Sequence, residues 1–254
     1  MPDPKKYVEN LELSFDSDTM PGYSHRAMMR SATESAEGTD PAAYIVNKSL
    51  VSFVANVSSQ NRMDVLNSTL LAQLAANKKF PNEKDLVEWF RVYTDVLTQV
   101  GWVITGKDFV DVTTSKDLFE VENVVLDILT GALGGNAIAI VTKTLEAFRK
   151  LSNADSRFVA FEKNTHTSEK GSFLIASADE AANGVVSLSM AGFVVSSSEK
   201  ITRILFIKSA KGKTALQVSS RSGTLNSDTY ALVRKDILDK LGTKASEFIA
   251  DLEI

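Results

Sequence analysis

Residues 185–195 read VVSLSMAGFVV, and the alternation inside this run decides the fold class. Val186, Leu188 and Met190 fall on one side of an extended chain and Ser187 and Ser189 on the other, the period of a half-buried strand. Working outward, Arg157–Lys163, Ser172–Ala178, Val185–Val195, Lys200–Ser209 and Lys213–Arg221 each read as a strand. The connections between them, at 164–171, 179–184, 196–199 and 210–212, are short and polar. Connections of that length hold no crossover helix, so sequential neighbours are expected to pair antiparallel, a meander of about five strands over residues 154–225.

Upstream the apolar period is 3.6 rather than 2. Thr39 and Asp40 before Pro41 read as a helix start, and Ile45, Ser49, Leu50, Phe53, Val54 and Val57 follow at helical spacing. A second helix is expected from about Gln60 to Lys78, with Val65, Leu66, Leu70 and Leu74 on one side. The third, 82–105, opens at Pro81-Asn82 and carries two apolar stripes: Leu86, Phe90, Tyr93, Leu97, Val100 and Ile104, and beside it Trp89, Val92, Val96 and Val103. A helix that apolar reads as a buried central helix; at roughly 36 Å it is also long enough to cross a bilayer. After a short strand at 107–114, Ser115 is expected to cap a helix with Leu118, Val121, Val125, Ile128, Leu129 and Ala132 on one face. Gly131-Ala-Leu-Gly134-Gly135-Asn136 then turns into a helix over 137–151. Beyond the meander, Asn226, Ser227 and Asp228 cap a helix ended by Gly242, and 243–252 reads as a last short one.

The expectation is one α+β domain over residues 1–254: an irregular segment at 1–40, a mainly helical part at 41–153 packed on the antiparallel sheet of 154–225, and closing C-terminal helices at 226–254. No Pro/Gly-rich linker interrupts the chain near 152–156. A length of 254 residues is enough to bury a substantial core.

Composition removes several function classes. The net charge is −4, whereas a nucleic-acid protein carries a Lys/Arg excess, so no nucleic-acid partner is expected. The acidity lies in the helices: residues 1–153 hold 15 basic and 20 acidic groups, residues 154–254 hold 13 and 12. With no cysteine, disulfides, thiolate metal sites and thiol catalysis all drop out. The two histidines, His25 in the polar N-terminal stretch and His166 in the expected hairpin loop Asn-Thr-His-Thr-Ser, have no partner at metal-ligand spacing and read as exposed loop residues. G-x-S-x-G and G-x-G-x-x-G are absent. Lys211-Gly-Lys213-Thr214 imitates the end of a phosphate-binding loop, but Ile207 stands where that loop needs its first glycine, and a hairpin turn explains Gly212 better. Glu120 and Glu122 suit a helix start. No catalytic residue, metal or cofactor is expected, and the chain reads as non-enzymatic.

Two features point elsewhere. Helices meeting at the apolar, glycine-rich tip around Leu129, Leu133, Gly134, Gly135 and Ile138 can detach and enter a bilayer, where small residues help helices associate, or can simply cover the sheet. The segment 200–213 carries Lys200, Arg203, Lys208, Lys211 and Lys213 with no acid after Lys200, suited to anionic headgroups or to protecting a sheet edge. Leu129, Leu133, Gly134, Gly135 and Ile138, with Lys208, Lys211 and Lys213 as the basic group, are the candidate membrane contacts.

The layout of helices beside a small antiparallel sheet resembles that of Cyt-type cytolysins, an analogy of architecture with no shared motif. It implies a membrane-active, pore-forming protein that is soluble before lipid contact, with a lipid membrane as partner and a homo-oligomer as its working form. The alternative is a non-enzymatic ligand-binding or assembly protein without membrane activity. Residues 1–15 lack the apolar core of a signal peptide, so synthesis in the cytoplasm is expected, with release by another route left open.

Overall fold

Apolar residues alternate on both faces of the long strands, and this double alternation sets the architecture. A computed structural model of the chain describes residues 3–20, 40–81, 85–113 and 118–254. The strands are β1 Ala42–Val46, β2 Ser49–Phe53, β3 Trp102–Gly106, β4 Val110–Val112, β5 Leu118–Glu120, β6 Lys170–Glu180, β7 Val186–Ser197, β8 Lys208–Ala210, β9 Thr214–Leu225 and β10 Ile249–Leu252. Among the described residues an eight-stranded sheet runs in the order β10-β1-β2-β6-β7-β9-β3, with β4 also paired to β9, while β5 and β8 form a separate ribbon. Every pairing is antiparallel except β2 with β6, which run parallel. That pair is joined by more than a hundred residues, ample for a crossover.

The helices are α1 Pro4–Asn10, α2 Ser59–Lys79, α3 Leu86–Gln99, α4 Val121–Ala132, α5 Gly135–Lys150, α6 Ser156–Thr165, α7 Ser227–Leu241 and the single turn α8 Ala245–Phe248. Tyr44, Val46, Val51, Phe53, Leu174, Ala176, Leu188 and Met190 leave one face of the sheet to join residues of α1, α2, α3 and α7 in one core. Ala43, Ile45, Leu50, Phe173, Ile175, Ala191, Phe193 and Val195 leave the other to join α4, α5 and α6 in a second core. The fold is mixed α and β, with helices on both faces of the sheet and in both halves of the chain.

Polar caps set several helix starts. Asp3 accepts from the Lys5 N–H, Ser58 from Asn61, Asp155 from Arg157 and Asn226 from Thr229, each satisfying a donor the helix leaves unpaired. The expected start at Asn226 and stop at Gly242 both hold.

Several expectations are corrected, and the covered sheet explains most of them. Residues 42–53 form the hairpin β1–β2 in place of a helix. Both faces of these strands are buried, so they read as unbroken apolar runs whose spacing also fits a helix. Asn47 makes their turn at φ 51°. The long helix expected to 105 ends at Gln99, because Gly101 at φ 114° turns the chain into β3. Arg157–Lys163 lies in helix α6 rather than a strand. Lys200–Ser209 is largely irregular, with a 3-10 turn at Ile204–Phe206 before β8. The C-terminal segment closes as strand β10 on β1. The sheet is therefore larger than five strands and not a simple meander, and residues 4–10 of the expected irregular segment are helical. Thr39 and Asn82 as helix starts, the Ser115 cap and His25 lie outside the described residues.

Candidate functional site

Helix α4 reads VENVVLDILTGA, and its apolar face is wider than its fully buried seam. Only Val121, Val125 and Leu129, one residue per turn, are buried in the second core. Val124, Leu126, Ile128 and Leu133 flank that seam half-buried. A groove of about 470 Å³ runs along one side, between Val124 and Ile128 of α4 and Val112 and Phe119. The α4–α5 turn overhangs a larger cleft of about 760 Å³, lined by Leu133, Gly134, Gly135, Asn136 and Ala137 above and by Ser177, Asp179, Ser187 and Ser189 on the sheet. Side chains at Gly131, Gly134 and Gly135 would meet no atom within 4 Å, so these glycines serve no close helix–helix contact here. Of the candidate tip residues, Leu129 is buried, Leu133 and Ile138 are half-buried, and Gly134 and Gly135 are exposed.

The basic group sits at the other end of α4. Register pairs Glu120 of β5 with Lys208 of β8, whose ammonium lies 2.7 Å from the Glu120 carboxylate, and the Val121 N–H donates to the Ile207 carbonyl. Arg149 of α5 pairs with Glu122. Glu120 and Glu122 thus hold the start of α4 to its neighbours. Lys211 and Lys213 are exposed in the β8–β9 turn, with Gly212 at φ 83° as the hairpin reading expects. Twelve residues of helix, roughly 18 Å, separate this turn from the glycine tip, so the structure does not gather the candidates into one patch. Arg203 belongs to neither group: its guanidinium lies over Phe158 and Phe206, 4.5 and 5.1 Å from the ring centres.

Beneath the tip, side chains on the sheet change from apolar to hydroxyl. Ser52, Ser177, Ser189, Ser222 and Thr105 stand side by side across β2, β6, β7, β9 and β3. A second row follows with Asp179, Ser187 and Thr224, ending on Val103 at the sheet edge. Ser52 lies under α5, its hydroxyl 2.9 Å from that of Thr144. Ser177 is 5% exposed, and among the described residues its hydroxyl has no hydrogen-bond partner. Glu180 at the cleft's edge is committed to capping α2. Burial works against its charge, but hydrogen bonds from Asn61 and from Ser58, whose N–H lies 2.7 Å away, hold the carboxyl below its ordinary range.

Sequence reasoning missed a second polar site. His166 lies not in an exposed loop but at the end of α6. Its side chain is 11% exposed, with Nε2 2.9 Å from Glu162 Oε2 and Nδ1 2.6 Å from the Thr167 carbonyl oxygen. The i, i+4 spacing of Glu162 and His166 was the available signal, hidden because the segment read as a strand. His166 lines a pocket of about 330 Å³ with Lys48, Asn77 and Trp89, whose indole N–H donates to Asn77 Oδ1 at 2.7 Å. Among the described residues no group of three or more His, Asp or Glu is placed to hold a metal ion, and no helix is long and apolar enough to cross a membrane.

No protein-family model and no curated protein matches the chain. Solved structures similar to it include one described as the Evf virulence factor, at 14% identity and TM-score 0.42, covering 96% of this chain and 90% of that one. Another is described as a delta-endotoxin, at 10% identity and TM-score 0.41, covering 70% and 79%. A third is the activated Cyt2Ba monomer from Bacillus thuringiensis subsp. israelensis, at 11% identity and TM-score 0.33, covering 55% and 79%.

Proposed function

We propose that the protein is a membrane-active, pore-forming cytolysin that acts without catalysis, and that the α4–α5 hairpin leaves the sheet when it meets lipid. The observation that carries this reading is the thin attachment of α4. One fully buried residue per turn, flanked by half-buried Val124, Leu126 and Ile128, holds an amphipathic helix whose exposed face carries Asn123, Asp127 and Thr130, and clefts lie along its side and under its tip. Burying the half-exposed flank in an acyl environment would gain about 25 cal/mol per Å² of apolar surface, a gain its present seat does not offer.

Element lengths favour different tasks for helices and strands in this reading. α4 and α5, at 12 and 16 residues, are roughly 18 and 24 Å long, short of a hydrocarbon core of about 30 Å. They suit the plane of the interface. β6, β7 and β9 have 11, 12 and 12 residues, and a spanning strand needs about 9–11. The exposed Lys211 and Lys213 would meet anionic headgroups, and assembly of several copies would close the sheet edges that a single copy leaves open.

Release of a trapped dye from anionic and neutral liposomes between pH 5 and 9 tests the reading. Leakage that rises with protein concentration is expected, and intact liposomes across that range overturn it. A second reading, a ligand-binding protein without membrane activity, is favoured by the pocket of Lys48, Asn77, Trp89 and His166. It predicts a ligand-dependent rise in melting temperature with no effect on liposomes.

A further inference from the structure

The cleft beneath the α4–α5 turn has a chemistry that membrane contact does not use. Its sheet wall presents Ser177, Ser187 and Ser189 together with the exposed carboxylate of Asp179. Its helix wall is the start of α5, whose N-cap Gly134 offers no side-chain cap, so the N–H groups of the first turn have no partner within the helix. Ser177 adds an independent sign. It is 95% buried by its 5% exposure, it lines the cleft, and its hydroxyl has no partner among the described residues although buried hydroxyls nearly always have one.

Charge selects the class of ligand. An anion would suit the positive end of α5 but meet Asp179 and Glu180, whereas a cation would suit the carboxylates but meet the helix terminus. A neutral molecule that both donates and accepts hydrogen bonds satisfies both walls. Its hydroxyls would donate to Asp179 and accept from the α5 N–H groups, with the serines serving in either sense. Leu133, Ile140 and Val54 supply an apolar wall for the C–H face of a ring, and about 760 Å³ holds one or two such rings.

We infer that this cleft binds a neutral, hydroxyl-rich ligand, a sugar ring, carried either by a free saccharide or by the headgroup of a glycolipid. The inference does not depend on membrane activity.

Ligand-detected NMR on the full chain, with the methyl glycosides of glucose, galactose and N-acetylglucosamine as probes, tests it. Saturable binding of at least one glycoside is expected. It should weaken about ten- to hundredfold in D179N, the loss of one charge-assisted hydrogen bond, and weaken also in S177A, with both variants folded by circular dichroism. Cosedimentation with neutral phosphatidylcholine vesicles, with and without a glycosyl diacylglycerol, separates the sources. Capture by the glycolipid vesicles alone identifies a lipid headgroup, and binding of the free glycoside without vesicle capture identifies a free saccharide. No binding of any glycoside in either form overturns the inference, as does binding of O-phosphoethanolamine in preference to every glycoside. The leakage assay above uses liposomes without sugar, so failure of one reading leaves the other standing.

Discussion

Asp64 is 2% exposed on α2 and is held from α7 by Arg234, which donates through Nε at 2.9 Å and Nη2 at 2.7 Å. Asp64 holds the guanidinium above its ordinary pKa, chiefly through the hydrogen bonds between them. Arg234→Met should therefore strand a buried carboxylate and cost about 2–3 kcal/mol in urea denaturation, less than for a fully buried pair because Arg234 is about one-third exposed. Gln73 is fully buried on the same helix and closes the β1–β2 turn. It accepts from the Lys48 N–H at 3.2 Å and donates to the Val46 carbonyl and the Ser49 hydroxyl at 3.0 Å each. Gln73→Leu should cost about 2–4 kcal/mol, read the same way. Asp155 gives a pH signature. The hydrogen bond from Arg157 is the main cause that holds its carboxyl below the ordinary 3.8. A depressed folded pKa stabilises fully above the unfolded value and is lost as pH falls through the folded one. The melting-temperature gap between the wild type and Asp155→Asn should accordingly shrink as pH drops below about 4. Sequence placed Asp64 and Gln73 on a helix but gave no hint of their burial. α2 is enclosed on nearly every side, so its polar residues lie in the interior where periodicity assigns them to solvent.

Elements divide by how many faces they bury. The alternation in β7 and β9 was legible because serines on one face mark the period, whereas β1 and β2, with both faces covered, show no period to read. The helix–turn–helix of α4 and α5 was legible from its two stripes and glycines, but Leu118–Glu120, read as part of its first helix, form β5. The separation of its tip from the basic turn was not, since it follows from the pairing of β5 with β8 across ninety residues of chain. That pairing also changes the choice of test. Lys208→Glu would face Glu120 and disturb the start of α4, so the substitutions that probe lipid contact are Lys211→Glu and Lys213→Glu, both in an exposed turn. At about 1 kcal/mol per charge near an anionic surface, reversing the pair should lower vesicle binding more than tenfold at low salt and leave the melting temperature within a degree or two. Unchanged binding would remove the turn from the mechanism.

At the scale of the whole molecule, one sheet serves two cores of unequal closure. The face under α2, α3 and α7 includes Trp102, Tyr93 and Tyr230, all at most 1% exposed, and Gly192 lies so close to Phe90 that an added Cβ would fall 2.6 Å from its ring. The face under α4 and α5 is open along one helix and at its tip. On lipid the open face is expected to move and the closed face to stay. Because the chain has no cysteine, a pair introduced at Asn136 and Ser189, which line the same cleft, can be joined selectively by a bis-maleimide whose spacer carries a disulfide, which pins the hairpin to β7 until the spacer is reduced. The decisive measurement is dye release from anionic liposomes by this doubly substituted protein, cross-linked and then reduced. No release is expected while the spacer disulfide is closed, and release should return on reduction. Equal release in both states would contradict detachment of the hairpin.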